Sequence, residues 1–227
     1  MILQFFKYNL FIPFLVLFLS GVILCVVDSF NEHPRHRYLN DKFIGQKKSR
    51  DFVVNSFEMI PAQSQKSPPV ALVLRAEVLV KDLRLPLEKG YKVIAYDNQS
   101  VPFEVGKDSY GKFEKNLTVV NPSDQAEFDK KLTSLNLVMS SFDLPFFEPS
   151  MFKEEWNALD QKIQKGGYFI GNFFDPSFSV FDEKIKVKMT FHTKQEVLKL
   201  FKNYKILKFE EVKKGPEHFY EVFAQKI

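Results

Sequence analysis

Cysteine is almost missing from this chain. The single one, Cys25, lies inside an uncharged apolar run, so no intrachain disulfide and no cysteine-based zinc site can form. The globular part is therefore indifferent to the redox state of its compartment and fits a reducing one. Charge of one sign is lacking too. The 32 basic and 28 acidic residues leave a formal net charge of +4, and the signs alternate, as in residues 205–214 (KILKFEEVKK). Such a surface reads as solvated rather than as a nucleic-acid face. Histidine is sparse: His33 and His36 sit in a polar stretch and do not make a metal site. His192 has no cysteine, serine or paired carboxylate near it in sequence that would suggest nucleophilic or acid–base work. No internal repeat and no long low-complexity segment is present.

Aromatic residues, by contrast, are plentiful. They make up 15% of the 227 residues, and Phe alone contributes 26. That content argues for a packed core and against disorder. Residues 8–27 (YNLFIPFLVLFLSGVILCVV) carry no charge. Twenty such residues reach across a hydrocarbon layer of about 30 Å as a helix, and Pro13 near the start is tolerated there. The run is either a cleaved signal or a retained anchor. It is longer than a usual signal core and lacks a good small-residue cleavage site, which favours an anchor. Lys7 precedes it, whereas Arg35, Arg37, Lys42, Lys47, Lys48 and Arg50 follow it. The positive-inside tendency then puts the C-terminal domain in the cytoplasm, as a single-pass membrane protein. The expected organisation is a membrane or signal segment over 1–30, a linker over 31–48 and one domain over 49–227.

Past the linker, helix and strand signals alternate. Residues 43–60 read as a partly amphipathic helix. Val70–Leu74 (VALVL) is a short continuous apolar run, as in a strand covered on both faces. Residues 81–89 read as a helix disturbed by Pro86 and closed by Gly90. Further strands are expected over 91–97, 117–121, Leu135–Ser140 and 168–174. Between the last two, Phe152, Trp156, Leu159 and Ile163 share one face of a helix over 150–164, which Gly166 and Gly167 are expected to stop. Thr193 and Glu196 form a capping-box pattern. Residues 204–212 and 218–226 read as an antiparallel hairpin around a Lys-Lys-Gly-Pro turn. This alternation implies an α/β, doubly wound, mostly parallel sheet that binds ligands at the carboxyl ends of its strands.

Four segments in this order resemble class I methyltransferases dependent on S-adenosyl-L-methionine (SAM), most of all the small bacterial tellurite-resistance or thiopurine type. They are residues 87–97 (LEKGYKVIAYD), 137–146 (LVMSSFDLPF), 152–174 with KGGYFIGNFF at the end, and 189–201 beginning MTFHT. The resemblance covers residues 49–227. It implies a Rossmann-like sheet of seven strands with the last pair reversed, SAM as cofactor and a small-molecule acceptor. It also implies cofactor contacts at Asp97, which would take the ribose hydroxyls, and its neighbour Asn98, and at Ser140, Ser141 and Phe142 after the fourth strand. The family's first strand ends in a D-x-G-x-G-x-G type of turn. Here that stretch is Val73 to Val80, with Arg75, Ala76 and Glu77 in the turn and no glycine. Two readings follow: a methyltransferase with an altered first turn, or a catalytically inactive relative serving as a binding module.

Overall fold

The computed structural model describes residues 50–62, 67–74, 80–96, 111–120, 132 and 134–227. They lie within one compact unit, His33–Ile227. Among the described residues no helix is long and apolar enough to cross a membrane. The run 8–27 and the linker 31–48 lie outside them.

The elements are α1 (Asp51–Glu58), β1 (Val70–Leu74), α2 (Val80–Glu88), β2 (Lys92–Tyr96), β3 (Leu117–Val120), β4 (Leu135–Ser140), α3 (Pro149–Lys162), β5 (Ile163–Phe174), α4 (Glu183–Lys186), α5 (Lys194–Leu200), β6 (Tyr204–Lys214) and β7 (Glu217–Lys226). The seven strands form one sheet in the order β3-β2-β1-β4-β5-β7-β6. Strands β3, β2, β1, β4 and β5 pair in parallel, and β7 is antiparallel to both β5 and β6. A doubly wound sheet with a C-terminal antiparallel hairpin, as the sequence implied, is what forms; within that hairpin only β7 runs against the parallel strands, whereas the resemblance implied a reversed last pair.

Residues alternate across the sheet, so each strand feeds two cores. Ala71 and Val73 of β1 pack with Phe52 and Phe57 of α1 and Leu83 and Leu87 of α2. Leu72 and Leu74 face the other way, toward Phe152 and Trp156 of α3 and Val197 of α5. Trp156 sits edge-on to Phe169, Phe173 and Phe201, at 5.4, 5.9 and 5.1 Å between ring centres. It is a core residue. His192 is half-buried: its ring lies 4.4 Å from that of Phe152, and burial lowers its pKa while Glu196 opposes the shift.

Local chemistry sets the element ends. Helix α2 carries Pro86 in its last turn, where the ring removes one i→i−4 hydrogen bond two residues before the helix ends. The helix then closes with Gly90 at φ +81°, Gly90 N–H on Leu87 O and Tyr91 N–H on Pro86 O. This is the paired hydrogen bonding of a Schellman cap, and it uses glycine's access to positive φ. Thr193 and Glu196 form both halves of a capping box on α5. Gly215, at φ +58°, lets β6 turn into β7 in two residues.

The glycine pair corrects one expectation. Helix α3 ends at Lys162, and β5 begins at the next residue, so Gly166 and Gly167 lie inside the strand rather than stopping the helix. Leu135 pairs with Ile163 but Leu137 pairs with Tyr168, so five residues of β5 advance against two of β4. The pair makes a bulge. Gly166 has φ +80° and open space around it. A Cβ on Gly167 would meet the carbonyl oxygens of Leu135 and Gln164 at 2.8 and 2.9 Å. Gly167→Ala is therefore expected to lower stability by about 1–3 kcal/mol through overpacking against backbone. Gly166→Ala should cost only about 1 kcal/mol, from conformation alone. Urea unfolding of the two variants beside the parent checks the ranking.

Candidate functional site

Strands β1 and β4 are neighbours, yet the helices that follow them go to opposite faces. Helix α2 packs in the core that takes Ala71 and Val73, and α3 in the core that takes Leu72 and Leu74. A crevice opens where two such crossovers diverge, outside the carboxyl ends of the strands. Its described borders are Leu74, the last residue of β1, Tyr96, the last of β2, and Ser140, the last of β4. The expected contacts Arg75, Ala76 and Glu77 follow Leu74 in sequence, and Asp97 and Asn98 follow Tyr96. All five lie outside the described residues.

The three expected contacts after β4 take different environments. Ser140 is fully buried, and its hydroxyl has no hydrogen-bond partner among the described residues. Ser141 is also buried, and its Oγ accepts a 2.6 Å hydrogen bond from Arg50 Nη2. Phe142 adopts φ +53°. Its ring packs at 5.3 Å from Phe219 and 6.0 Å from Phe174, within an aromatic cluster that also holds Phe146, Phe178 and Met189. A bulky side chain in the left-handed region stores strain of roughly 1–3 kcal/mol, held by its surroundings.

Sequence reasoning missed a polar group at the same edge. Arg50 caps the start of α1, and its Nη1 reaches Asn172 Oδ1 of β5 at 3.2 Å and Glu221 Oε1 of β7 at 3.0 Å. Asn172 Nδ2 donates to the same Glu221 oxygen at 3.1 Å, and the guanidinium lies 4.9 Å from the centre of the Phe142 ring. Burial raises the pKa of Glu221; Arg50 and Asn172 oppose that shift, as does Lys208, while Glu210 adds to it. One signal was available. A single acid in the run FYEVFA of residues 219–224, and a single amide in the run YFIGNFF of residues 168–174, are out of place in buried strands.

A second polar group stands where β5 ends and β7 begins. Asp175 Oδ1 accepts from the backbone N–H and the hydroxyl of Ser177, and Oδ2 accepts from Tyr220. His218 places Nδ1 at 2.6 Å from Ser177 Oγ and Nε2 at 2.9 Å from Glu211 Oε1. Serine, histidine and carboxylate thus stand in line. The serine hydroxyl, however, is given to Asp175 at 2.7 Å, so the group ties the end of β5 to the hairpin rather than presenting a nucleophile. Among the described residues no three His, Cys, Asp or Glu side chains are placed to hold a metal ion.

No protein-family model matches the chain, and no curated protein matches it. Solved structures do. A 1,6-didemethyltoxoflavin-N1-methyltransferase from Burkholderia thailandensis, with 1,6-didemethyltoxoflavin and S-adenosylhomocysteine bound, is similar over 85% of this chain and 86% of its own, with a TM-score of 0.58 and 13% identity. The fold is that of SAM-dependent methyltransferases. TehB from Haemophilus influenzae shares this methyltransferase fold at a TM-score of 0.61 and 14% identity, over 85% of this chain and 67% of its own. The N-methyltransferase NodS from Bradyrhizobium japonicum WM9, solved with S-adenosylhomocysteine, does so at 0.55 and 8%, over 85% of this chain and 98% of its own. At such identities the shared property is the arrangement of the methyltransferase sheet and its helices, and not any particular side chain.

Acid should loosen the β5–β7 junction of this methyltransferase fold. Burial works against the charge on Asp175, but the hydrogen bonds from Tyr220 and Ser177, with His218 beside them, outweigh it and leave its pKa below the usual value. A depressed carboxyl contributes stability above its unfolded pKa, about 3.9, that is lost as the pH falls through the lower folded value. Asp175→Asn is expected to cost about 1–2 kcal/mol at pH 7, since it weakens hydrogen bonds to a charged group at a partly solvated site. Thermal melts of both proteins should show the gap in Tm narrowing as the pH is taken down from about 4.

Proposed function

We propose that this protein is a SAM-dependent methyltransferase acting on a small-molecule acceptor. The observation that carries the reading is the divergence of the crossovers after β1 and β4, in a sheet whose fold is similar to that of a methyltransferase crystallised with S-adenosylhomocysteine. What the described residues offer fits the cofactor. The crevice is bordered by the ends of β1 and β2, and the buried Ser140 hydroxyl at the end of β4 has no partner among the described residues. An unsatisfied buried hydroxyl is costly unless a ligand or water completes it. Asp97 would accept both ribose hydroxyls, with Asn98 beside it. Arg75, Ala76 and Glu77 would line the altered first turn, with Arg75 available to pair with the methionine carboxylate.

SAM, when bound, supplies a methyl group already activated by its sulfonium. The chain's task is then to bind, orient and exclude water. Phe142, Phe146, Phe174 and Phe178 are buried or nearly so beside the end of β4 and keep that end of the crevice apolar. A dry wall of this kind raises the strength of polar contacts made next to it. No triad or metal is needed for this reaction class, because transfer depends chiefly on placing the acceptor in line.

The twenty uncharged residues 8–27 are part of the proposal as a retained single-pass anchor, with the catalytic domain on the cytoplasmic side. The acceptor reading also fits a near-balanced surface charge, which disfavours nucleic acid.

Titration calorimetry of the full chain in mild detergent tests the cofactor. Saturable SAM binding is expected, and Asp97→Ala should weaken it roughly tenfold or more through the lost charged hydrogen bonds. A folded chain that takes up no SAM at millimolar concentration would leave the other reading, a tethered module without catalysis, which the glycine-free stretch at residues 75–80 favours. Membrane fractionation tests the anchor. The full chain should stay with membranes through alkaline carbonate, and a chain lacking residues 1–30 should appear in the supernatant. Release of the full chain by carbonate would rule the anchor out.

A further inference from the structure

The buried group around Arg50 is expensive, and its position suggests what it is for. Arg50 and Glu221 keep only 11% and 10% of their side-chain surface exposed. A buried ion pair is often no more stabilising than packed apolar side chains of the same volume, because desolvation cancels most of the attraction. What it does supply is geometry, since a guanidinium donates in fixed directions from one plane. Here those directions reach three separate segments: Ser141 after β4, Asn172 on β5 and Glu221 on β7. All three lie toward the carboxyl edge. Ser140 pairs with Gly171 in register, and Asn172 is the next residue along β5.

The segment most in need of holding is the turn after β4. Phe142 stands at φ +53° and is not glycine, so its surroundings must over-determine it. Arg50 supplies two of the constraints. It donates to Ser141, immediately before the strained residue, and its charge lies against the Phe142 ring. On the other side of Ser141 is Ser140, whose buried hydroxyl lacks a partner among the described residues. Ser140 thus ends the strand that runs directly into the turn that Arg50 clamps.

We propose that Arg50 is a positioning residue for the cofactor crevice: by clamping Ser141 and Phe142 to Asn172 and Glu221, it fixes the turn at the end of β4 in a binding-competent conformation. This rests on the methyltransferase reading above. Arg50 touches neither cofactor nor acceptor in this account and acts through Ser141 and Phe142. Its route to the site is short, because the clamp and the crevice share the end of one strand.

The test is calorimetric titration of S-adenosylhomocysteine into the full chain in mild detergent, with thermal melts run on the same samples. The proteins are the parent, Arg50→Met, Arg50→Lys, Ser141→Ala and the Arg50→Met/Ser141→Ala double variant. Gly167→Ala serves as a reference for general destabilisation, since Gly167 lies near the start of β5, away from the carboxyl edge. Arg50→Met is expected to weaken binding about tenfold or more, the scale on which small misplacements act. Arg50→Lys should recover only part of the loss, because one ammonium cannot reproduce the planar fork. The double variant should bind no more weakly than Arg50→Met alone, as it must if Arg50 acts through Ser141. Gly167→Ala should melt lower yet bind like the parent.

A folded Arg50→Met protein that binds like the parent overturns the proposal. So does a loss of affinity in Gly167→Ala that matches its loss of Tm, since binding would then track stability alone. If Arg50→Met fails to fold, Arg50→Lys decides: parental affinity refutes the clamp, and a severalfold loss in a folded protein supports it. A folded parent that does not bind S-adenosylhomocysteine removes the methyltransferase reading and this inference with it. Failure of the inference alone appears as parental binding in the Arg50 variants, or as affinity that tracks Tm in Gly167→Ala, while the parent still binds.

Discussion

Parallel pairing of β1 with β4 is the contact from which the rest of the molecule is organised. Ala71, Leu72 and Val73 lie opposite Leu137, Val138 and Met139, and all six are buried. Parallel neighbours cannot be joined by a tight turn, so each strand needs a crossover, and a sheet this apolar needs cover on both faces. The cover comes from α1 and α2 on one side and from α3 and α5 on the other. Because the crossovers after β1 and β4 leave toward opposite faces, the carboxyl ends of these two strands are where a doubly wound sheet opens a crevice. The crevice is a by-product of covering the sheet, and its chemistry depends on which side chains end up beside it.

Those side chains are not typical of the remainder of the fold. The two cores above and below the sheet are built mainly of aliphatic and aromatic groups with ordinary backbone geometry, although α1 also buries Ser56, whose hydroxyl has no partner among the described residues. Toward the carboxyl edge stand a buried ion pair, an orphaned serine hydroxyl among the described residues and a phenylalanine at positive φ. Each costs stability on its own. They stand at the end of β4 and beside it on β5 and β7, next to the carboxyl edge at which a doubly wound sheet binds its ligands. The aromatic cluster of Phe142, Phe146, Phe174, Phe178 and Phe219 surrounds this polar group on the apolar side and limits the reach of water. The opposite end of β5 tells a different story: Gly166 and Gly167 form a bulge there, a device of backbone geometry that Gln225 Nε2 ties down by donating to Gly166 O.

Much of the fold was legible along the chain because it depends on short periods. The runs VALVL and LNLVMS coincide with β1 and β4 residue for residue, since continuous apolar stretches of that length suit strands buried on both faces. The cap of α5 and the close of α2 were equally readable, since Thr193, Glu196 and Gly90 act on neighbours a few residues away. The long strand β5 was read short at its start. A glycine pair after a helix looks like a stop, and only pairing with Leu135 reveals Ile163 as the first residue of a strand.

The site divides along the same line. Ser140 and Ser141 were placed at the end of the fourth strand from local order, and they stand there. Arg50 was counted only as one charge of a basic flank, because its partners Ser141, Asn172 and Glu221 lie 91, 122 and 171 residues away. No period links such positions. Phe142 was placed among cofactor contacts, whereas the pairing of β5 with β7 brings Phe174 and Phe219 to its ring and draws it into their cluster. The elements, their alternation and the faces they bury follow from hydrophobic spacing within a few turns of chain, and so could be read along it. Which polar groups meet at the carboxyl edge, and how the turn after β4 is held, could not. Those contacts arise when strands distant in the chain become neighbours in the sheet.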